Sequence, residues 1–354
     1  MAEEAGYTKP KGKKGDNPVF QPERVFFEKR ALSYPLGEEL YSYFQGQAIE
    51  LGFTTSHNRV TGIPGRSKRD KFFHSKRTLV VGVRKSKNFA TCKPSAHYQL
   101  PLATGCPGSC EYCYLHTNMG RNPYVRIYVN QEEILEMAKN YIDERLPETT
   151  IFEGAATADP LSVESYSGAL ARAIAFFAGQ EHARFRFVTK FTDVDSLLEL
   201  EHRGKTRFRF SINSPQVIAE YERATPRLNA RLSAAEKVSA AGYPLGVMIA
   251  PIFLEGDWKK EYTALLEKLQ PLAKNPDLTF ELITHRFTAR AKKLILDLFP
   301  ETKLPLEEEQ RTFKWGQFGY GKYLYPKEMK ADVKAFFEEE IAKRFPLAKI
   351  DYFV

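Results

Sequence analysis

Cysteine is scarce in this chain, four in 354 residues, and tryptophan scarcer still at two. Four cysteines with three crowded together cannot form a disulfide framework; such grouping marks metal usage in a reducing compartment. No apolar run approaches the roughly 18 residues that a membrane span needs. The longest, Leu245 to Leu254, contains a proline and reads as a buried strand. Residues 1–17 are polar, rich in Lys and Gly, and lack the apolar core of a signal peptide. They predict a disordered basic tail over 1–18 and a cytoplasmic protein. Low-complexity sequence is absent beyond that tail, as are repeats other than a strand–helix rhythm.

Acidic residues are outnumbered, and the net charge of +8 favours a polyanionic partner. Arg66, Lys68, Arg69, Lys71, Lys76 and Arg77 crowd one segment together with Phe72 and Phe73. Near the C-terminus Arg311, Lys314 and Lys322 interleave with Phe313, Trp315, Phe318, Tyr320 and Tyr323. Basic residues neutralise phosphates and flat rings stack on bases, so both segments are candidate nucleic-acid contacts. Either could equally be a solvated face over core aromatics.

The three grouped cysteines read Cys106-Pro107-Gly108-Ser109-Cys110-Glu111-Tyr112-Cys113. A structural zinc site closes its shell with four ligands, and ordinary iron–sulfur carriers use four cysteines. Three thiolates on a cubane leave one iron open to a substrate. The C-x3-C-x2-C spacing, with an aromatic before the last cysteine, resembles the signature of radical S-adenosylmethionine (AdoMet) enzymes. The competing reading is a zinc loop completed by His97 or His116.

From Tyr98 onward short apolar strands alternate with amphipathic helices. The strands are predicted at 98–104, 149–153, 184–190, 206–212, 245–251 and 278–284. The helices are predicted at 131–145, 162–178, 193–201, 227–241, 257–272 and 288–298, with Asn130 as an N-cap. Six such units predict an α/β fold, a partial (β/α)6 barrel with reactive loops at the C-terminal ends of its strands. That rim then carries the cysteine loop, Ala155 and Ala156, Lys190, Ser211 and Asn213, Ala250-Pro251 and His285-Arg286. Residues 19–97 form a small α/β segment with a helix near 37–51 and a strand at 78–83. The barrel occupies 98–300, and 301–354 adds a hairpin at 311–325, a charged helix at 329–345 and a last strand at 349–354.

Several stretches together resemble the spore photoproduct lyase family. They include Thr54-Thr55-Ser56-His57-Asn58, Pro101-Leu102-Ala103-Thr104-Gly105-Cys106, Tyr112-Cys113-Tyr114-Leu115, Arg186-Phe187-Val188-Thr189-Lys190-Phe191 and Lys314-Trp315-Gly316. The resemblance implies a radical AdoMet enzyme that cleaves 5-thyminyl-5,6-dihydrothymine in DNA to two thymines. Cys106, Cys110 and Cys113 would then hold a [4Fe–4S] cluster, while Tyr114, Lys190, Ser211 and Ala250 would line the AdoMet pocket. Lys314, Trp315, Gln317, Phe318 and Tyr320 would face damaged DNA. Electrons would come from a donor such as flavodoxin or ferredoxin, and the protein would be a monomer. A cysteine after the second strand would return a hydrogen atom to the product radical, with Tyr112 and Tyr114 passing it on.

The chain departs from the family at this last point. The family's Phe-Glu-Ala-Ser-Cys-Thr-Ser-Asp stands here as Phe152-Glu153-Gly154-Ala155-Ala156-Thr157-Ala158-Asp159, so Ala156 occupies the donor's place. An Arg-Tyr pair of the family is Gln317-Phe318. The chain is therefore a donor-knockout form, a divergent lyase with another hydrogen source, or a paralogue with a different substrate. A rival outside enzymes is a metal-stabilised nucleic-acid-binding protein. Cys92, the leftover thiol, reads as passive rather than as a relocated donor.

Overall fold

The computed structural model describes residues 20–354 apart from Arg121, Gly316, Gln317, Phe318 and Tyr320. The tail expected at 1–18 therefore lies outside the described residues, as do three of the expected DNA-facing positions, Gln317, Phe318 and Tyr320.

Seven parallel strands form a curled half-barrel sheet: β1 (Ala96–Leu100), β2 (Thr150–Gly154), β3 (Ala183–Thr189), β4 (Thr206–Ile212), β5 (Leu245–Ile252), β6 (Thr279–Thr284) and β7 (Lys349–Phe353). They pair in chain order, and a two-residue antiparallel strand, Thr91–Cys92, edges the sheet beside β1. Alternation sorts their side chains. Phe152, Phe185, Phe187 and Phe208 point outward into a core shared with Phe177, and the rings of Phe177 and Phe185 stack at 5.1 Å. Glu153, Arg186, Arg209 and Glu281 point into the lumen, where they pair with one another.

Gly246 shows how tightly the lumen is filled. A Cβ there would lie 2.8 Å from Cγ of Arg209, so β5 can pass the arginine only as glycine.

Helices α1 (Gln131–Asp143), α2 (Ala169–Ala178), α3 (Leu228–Ala240), α4 (Trp258–Leu269) and α5 (Ala289–Leu298) follow the expected rhythm. The expected 162–178 helix breaks at Gly168, which takes φ +58°, and the buried Glu164 carboxylate accepts from the N–H groups of Leu170 and Ala171 to start α2. Asn130 precedes α1, but its side chain binds the backbone of Arg84 and so ties the helix to the neighbouring sheet. The helix expected at 193–201 is only a single 3-10 turn, Asp195–Leu197. The Leu197 carbonyl accepts the Tyr243 hydroxyl at 2.6 Å and keeps only a long bond, 3.4 Å, to the Leu200 N–H of the following turn.

A second sheet packs beside the barrel in the order Glu50–Thr54, Arg24–Glu28, Thr78–Gly82, Val125–Tyr128 and Ala103–Thr104. The expected 98–104 strand is thus shared between two sheets. Pro101, with no N–H to donate, follows the end of β1, and the chain crosses over before Ala103. The helix expected at 37–51 ends at Gln45, because Glu50–Thr54 is recruited to pair with Arg24–Glu28. Among the described residues no helix is long and apolar enough to cross a membrane.

After α5 a hairpin of Thr312–Trp315 and Gly321–Leu324 leads to α6 (Lys327–Arg344) and then β7. The hairpin's second strand also pairs with Arg286–Phe287, immediately after β6, so it rises from the C-terminal rim of the barrel. By contrast, β7 completes the barrel sheet and sends Tyr352 inward to Glu281 at 2.9 Å.

Candidate active site

The cysteine loop leaves Gly105 at φ +81°, a left-handed turn where a Cβ would strike the Tyr124 carbonyl at 2.3 Å. Two contacts then hold the loop. Ser109–Cys110 pair antiparallel with Glu222–Arg223, the segment beyond β4. Lys76, only 2% exposed, donates to the carbonyls of Cys106 and Gly108, both at 2.8 Å. The basic cluster at 66–77 is therefore divided in role. Lys76 and Phe72 are buried beneath the loop and Arg77 pairs with Glu23, which leaves Arg66, Lys68 and Arg69 on the surface.

The three thiols stand on one loop, and Cys113 lies within electrostatic reach of both Cys106 and Cys110. Burial pushes the Cys106 thiol up to about 12 and raises Cys110 as well. Neither histidine offered by the sequence completes a zinc shell. His97 accepts the Ile151 N–H at 2.9 Å, and His116 is buried with its ring against Phe72 and Phe299. Among the described residues no group of three or more His, Cys, Asp or Glu is placed to hold a single metal ion. Three neighbouring thiols with no fourth donor suit a cluster that assigns one sulfur to each of three irons and leaves the last open.

Beside the loop lies a charge network that the sequence reading did not assemble. Lys190, at the end of β3, donates to Ser211 Oγ at 2.8 Å, Glu222 Oε1 at 3.1 Å and the Tyr112 hydroxyl at 3.2 Å. Tyr112 also donates to Glu222, whose other oxygen takes Arg231 at 2.5 Å. Arg231 is fully buried and reaches on to the Ser211 carbonyl at 2.9 Å. Burial would raise the Glu222 pKa, but Lys190 and Arg231 outweigh it and hold the carboxyl near about 2. Lys190 is thus no strand-end lysine in solvent. Asp159 sets its backbone, accepting from Lys190 N and Thr189 Oγ1, both at 2.7 Å, while burial raises this carboxyl to about 6.

The loop after β2 forms the opposite wall. Ala155 adopts φ 51°, sparsely populated for any residue with a Cβ, and its N–H bonds to the Leu100 carbonyl at 2.8 Å. The next carbonyl, Ala156 O, accepts from the Tyr114 hydroxyl at 2.7 Å. Tyr114 is 59% exposed, an unusual state for a large ring between two anchored loops. Ala250 is half-buried on the inward face of β5, level with the end of the strand.

The structure thus gathers Cys106, Cys110, Cys113, Tyr112, Tyr114, Ala156, Lys190, Ser211 and Ala250 around one rim. Two further rim residues turn into packing. Asn213 ties the β4 loop to the Pro251 carbonyl at 2.7 Å, and His285 is buried against Phe253 and Phe287. Lys76, Asp159, Glu222 and Arg231 were missed. Glu222 carried one signal, its place in the segment beyond a barrel strand. Lys76 carried none, because only helix packing brings it to the loop.

On the hairpin, Trp315 is 70% exposed and Phe313 47%, with their rings edge-to-face at 5.4 Å. Arg311 does not join them. It is buried, lies 3.6 Å over the Tyr325 ring and donates to the carbonyls of His285 and Pro305. An exposed aromatic pair beside exposed Lys314 on this rim suits a flat, anionic ligand.

Comparison with known proteins agrees over nearly the whole chain. The family model for spore photoproduct lyase matches residues 20–354. The spore photoproduct lyase of Clostridium acetobutylicum is 49% identical over 331 residues, covering 94% of this chain and 98% of its own length. Among solved structures, a double variant of spore photoproduct lyase with bound AdoMet and dinucleoside spore photoproduct superimposes with a TM-score of 0.92 at 47% identity, covering 95% of this chain and all of that one. In that variant a cysteine is replaced by alanine and, 64 residues earlier, a serine is replaced by cysteine. A tyrosine-to-phenylalanine variant, with its substitution 42 residues before that cysteine, matches with a TM-score of 0.92 at 46% identity over the same share of each chain.

Proposed function

The chain belongs to the spore photoproduct lyase family, and on that premise we propose that its barrel rim cleaves the 5-thyminyl-5,6-dihydrothymine lesion of DNA to two thymines. The cofactors of such a lyase are a [4Fe–4S] cluster and AdoMet, which together supply a carbon-centred radical able to take a hydrogen atom from the lesion. Cys106, Cys110 and Cys113, three neighbouring thiols of one loop, would hold the cluster and leave one iron for AdoMet. The observation that carries this reading is topological. The thiol loop, the Lys190 network and the aromatic hairpin come from distant parts of the chain, yet all stand on the C-terminal rim.

The side chains divide the work by chemistry. Lys76 and the Glu222–Arg223 strand fix the loop that presents the thiols. Lys190 holds Ser211 and Tyr112 in place, and its ammonium would pair with the AdoMet carboxylate, with Ser211 and Ala250 lining the pocket. Tyr114, fixed by the Ala156 carbonyl, stands in the mouth of the barrel where lesion and radical meet. Lys314 and Trp315 bind the DNA strand, by phosphate pairing and stacking respectively. Within this reading residues 19–97 buttress the cysteine loop, 98–300 carry the chemistry and 301–354 supply both a DNA contact and a closing strand. An electron-transfer protein such as flavodoxin or ferredoxin reduces the cluster, and the chain acts as a monomer.

Anaerobic turnover with AdoMet and dinucleoside lesion, reading 5′-deoxyadenosine and thymine together, tests the proposal. Both products are expected. Deoxyadenosine formation that ignores the lesion would show that the substrate is something else.

A further inference from the structure

Position 156 bears a methyl group, yet the lyase reaction ends by giving a hydrogen atom to a thymine carbon radical. A methyl C–H bond is too strong to supply it, whereas a thiol S–H bond is weak enough. We propose that Cys92 is the hydrogen-atom donor of this chain, reaching the product radical from the sheet edge beside β1. The proposal rests on the lyase reading above and assigns that reaction's last step.

Cys92 lies on the edge strand opposite Ala96, where the register shifts after the Thr91–Tyr98 pair, so the alternation of the strand is broken at the thiol. The charges within its reach are the lumen residues Glu153, Arg209 and Arg186. Tyr114 lies within electrostatic reach of Cys92. That hydroxyl is bonded to the Ala156 carbonyl at 2.7 Å. Cys92, Tyr114 and the loop at Ala156 thus border one space. The thiol is half-buried rather than sealed, and burial raises its pKa to about 11, so at neutral pH it keeps the hydrogen it has to give.

An independent observation comes from the solved double variant. Its alanine and its new cysteine are separated by 64 residues, the interval between Ala156 and Cys92. The substituted tyrosine of the other variant precedes that alanine by 42 residues, the interval between Tyr114 and Ala156. Three positions in one register place Cys92 where that protein was given its cysteine, and that protein holds AdoMet and the dinucleoside lesion. The sequence alone reads Cys92 as passive; the shared register favours the donor reading instead.

The step balances. The Cys92 S–H bond breaks homolytically, a C–H bond forms on the thymine radical, and a thiyl radical stays on sulfur. The Tyr114 O–H then gives its hydrogen atom to the sulfur, leaving a tyrosyl radical. Deoxyadenosine departs with the hydrogen atom taken from the lesion, and one electron from the electron-transfer protein that reduces the cluster, with one proton from water, restores the tyrosine.

Two experiments decide the matter. Alkylation of the full chain by N-ethylmaleimide, read at Cys92 by peptide mass spectrometry, should slow markedly when dinucleoside lesion and AdoMet are bound; labelling that ignores them would overturn the proposal. In turnover, Cys92→Ser should keep its iron, its lesion consumption and its deoxyadenosine, but lose clean thymine and the deuterium that the parent takes up from D2O. Cys92→Ser with Ala156→Cys should regain both. Clean, equally deuterated thymine from Cys92→Ser alone would sink the donor assignment and leave the lyase intact. Failure of the parent to consume the lesion at all would sink the lyase reading and the donor assignment with it.

Discussion

Two clusters of buried charge lie one above the other in the barrel, and neighbouring residues of the same strands build both. Arg209 and Ser211 are two apart on β4, hence on one face and about 7 Å apart along the strand. On the floor, Arg209 and Arg186 face Glu153 and Glu281, two cations against two anions, with Tyr352 and Ser95 adding hydroxyl donors. On the rim, Lys190 and Arg231 share the single carboxylate of Glu222, and the hydroxyls of Tyr112 and Ser211 take up the rest. The floor is a closed, balanced set whose partners come from five elements around the sheet. The rim adds the Asp159 carboxylate beside Lys190 and opens toward the cysteine loop, an exposed tyrosine and a left-handed alanine. Similar residues therefore do different work according to what they face: on the floor one another, on the rim the cysteine loop.

The contrast can be broken at several points. The largest effect is expected at the thiols. Cys106→Ala, Cys110→Ala or Cys113→Ala should each abolish iron retention and AdoMet cleavage, since two thiolates cannot hold a cubane, while the circular dichroism of the fold stays. A variant of the three that keeps its iron would disprove the ligand assignment.

On the floor, Arg209→Ala leaves Glu153 and Glu281 short of their buried partner and should cost about 3–5 kcal/mol of stability in urea unfolding. Lys190→Met on the rim should cost far less stability but weaken AdoMet binding by calorimetry. Equal stability losses would erase the distinction between floor and rim.

Glu222 sharpens the comparison by pH. Its folded pKa, about 2, lies below the ordinary 4.5, so its stabilisation is fully present above pH 4.5 and fades as pH falls toward 2. The stability gap between parent and Glu222→Gln should therefore be constant near neutrality and shrink across that acid window. A gap that does not change with pH would contradict the pairing.

At the hairpin the effects are smaller. Trp315→Ala should weaken DNA binding by about 1–3 kcal/mol with its salt dependence unchanged, as expected for stacking. Lys314→Ala should instead lower the log–log salt slope by about one unit, and an unchanged slope would remove Lys314 from the phosphate contacts.

The cysteine loop and the strand rhythm were legible because both are local signals. Three thiols within eight residues need no fold to be recognised, and a strand buried on both faces, such as β5, is apolar throughout. The 193–201 segment misled because its apolar spacing is helical, while the bond that decides it comes from Tyr243, some fifty residues away. Arg311 misled in the opposite sense, being basic among aromatics like a nucleic-acid contact yet buried on Tyr325.

By itself, then, the sequence determined the chemistry available to this protein: a thiol triad, a curled parallel sheet to carry it, and an alanine at 156. Only the tertiary structure decided which charges meet. Lys76 comes to the cysteine loop from a helix thirty residues earlier, Tyr352 joins the floor from the last strand, and Cys92 at the sheet edge comes within reach of the floor charges. The physical reason is that a side chain's role is set by what it faces after burial. Composition and spacing fix which groups a chain possesses, but long-range pairing and the pleat of a sheet fix which of them share a space.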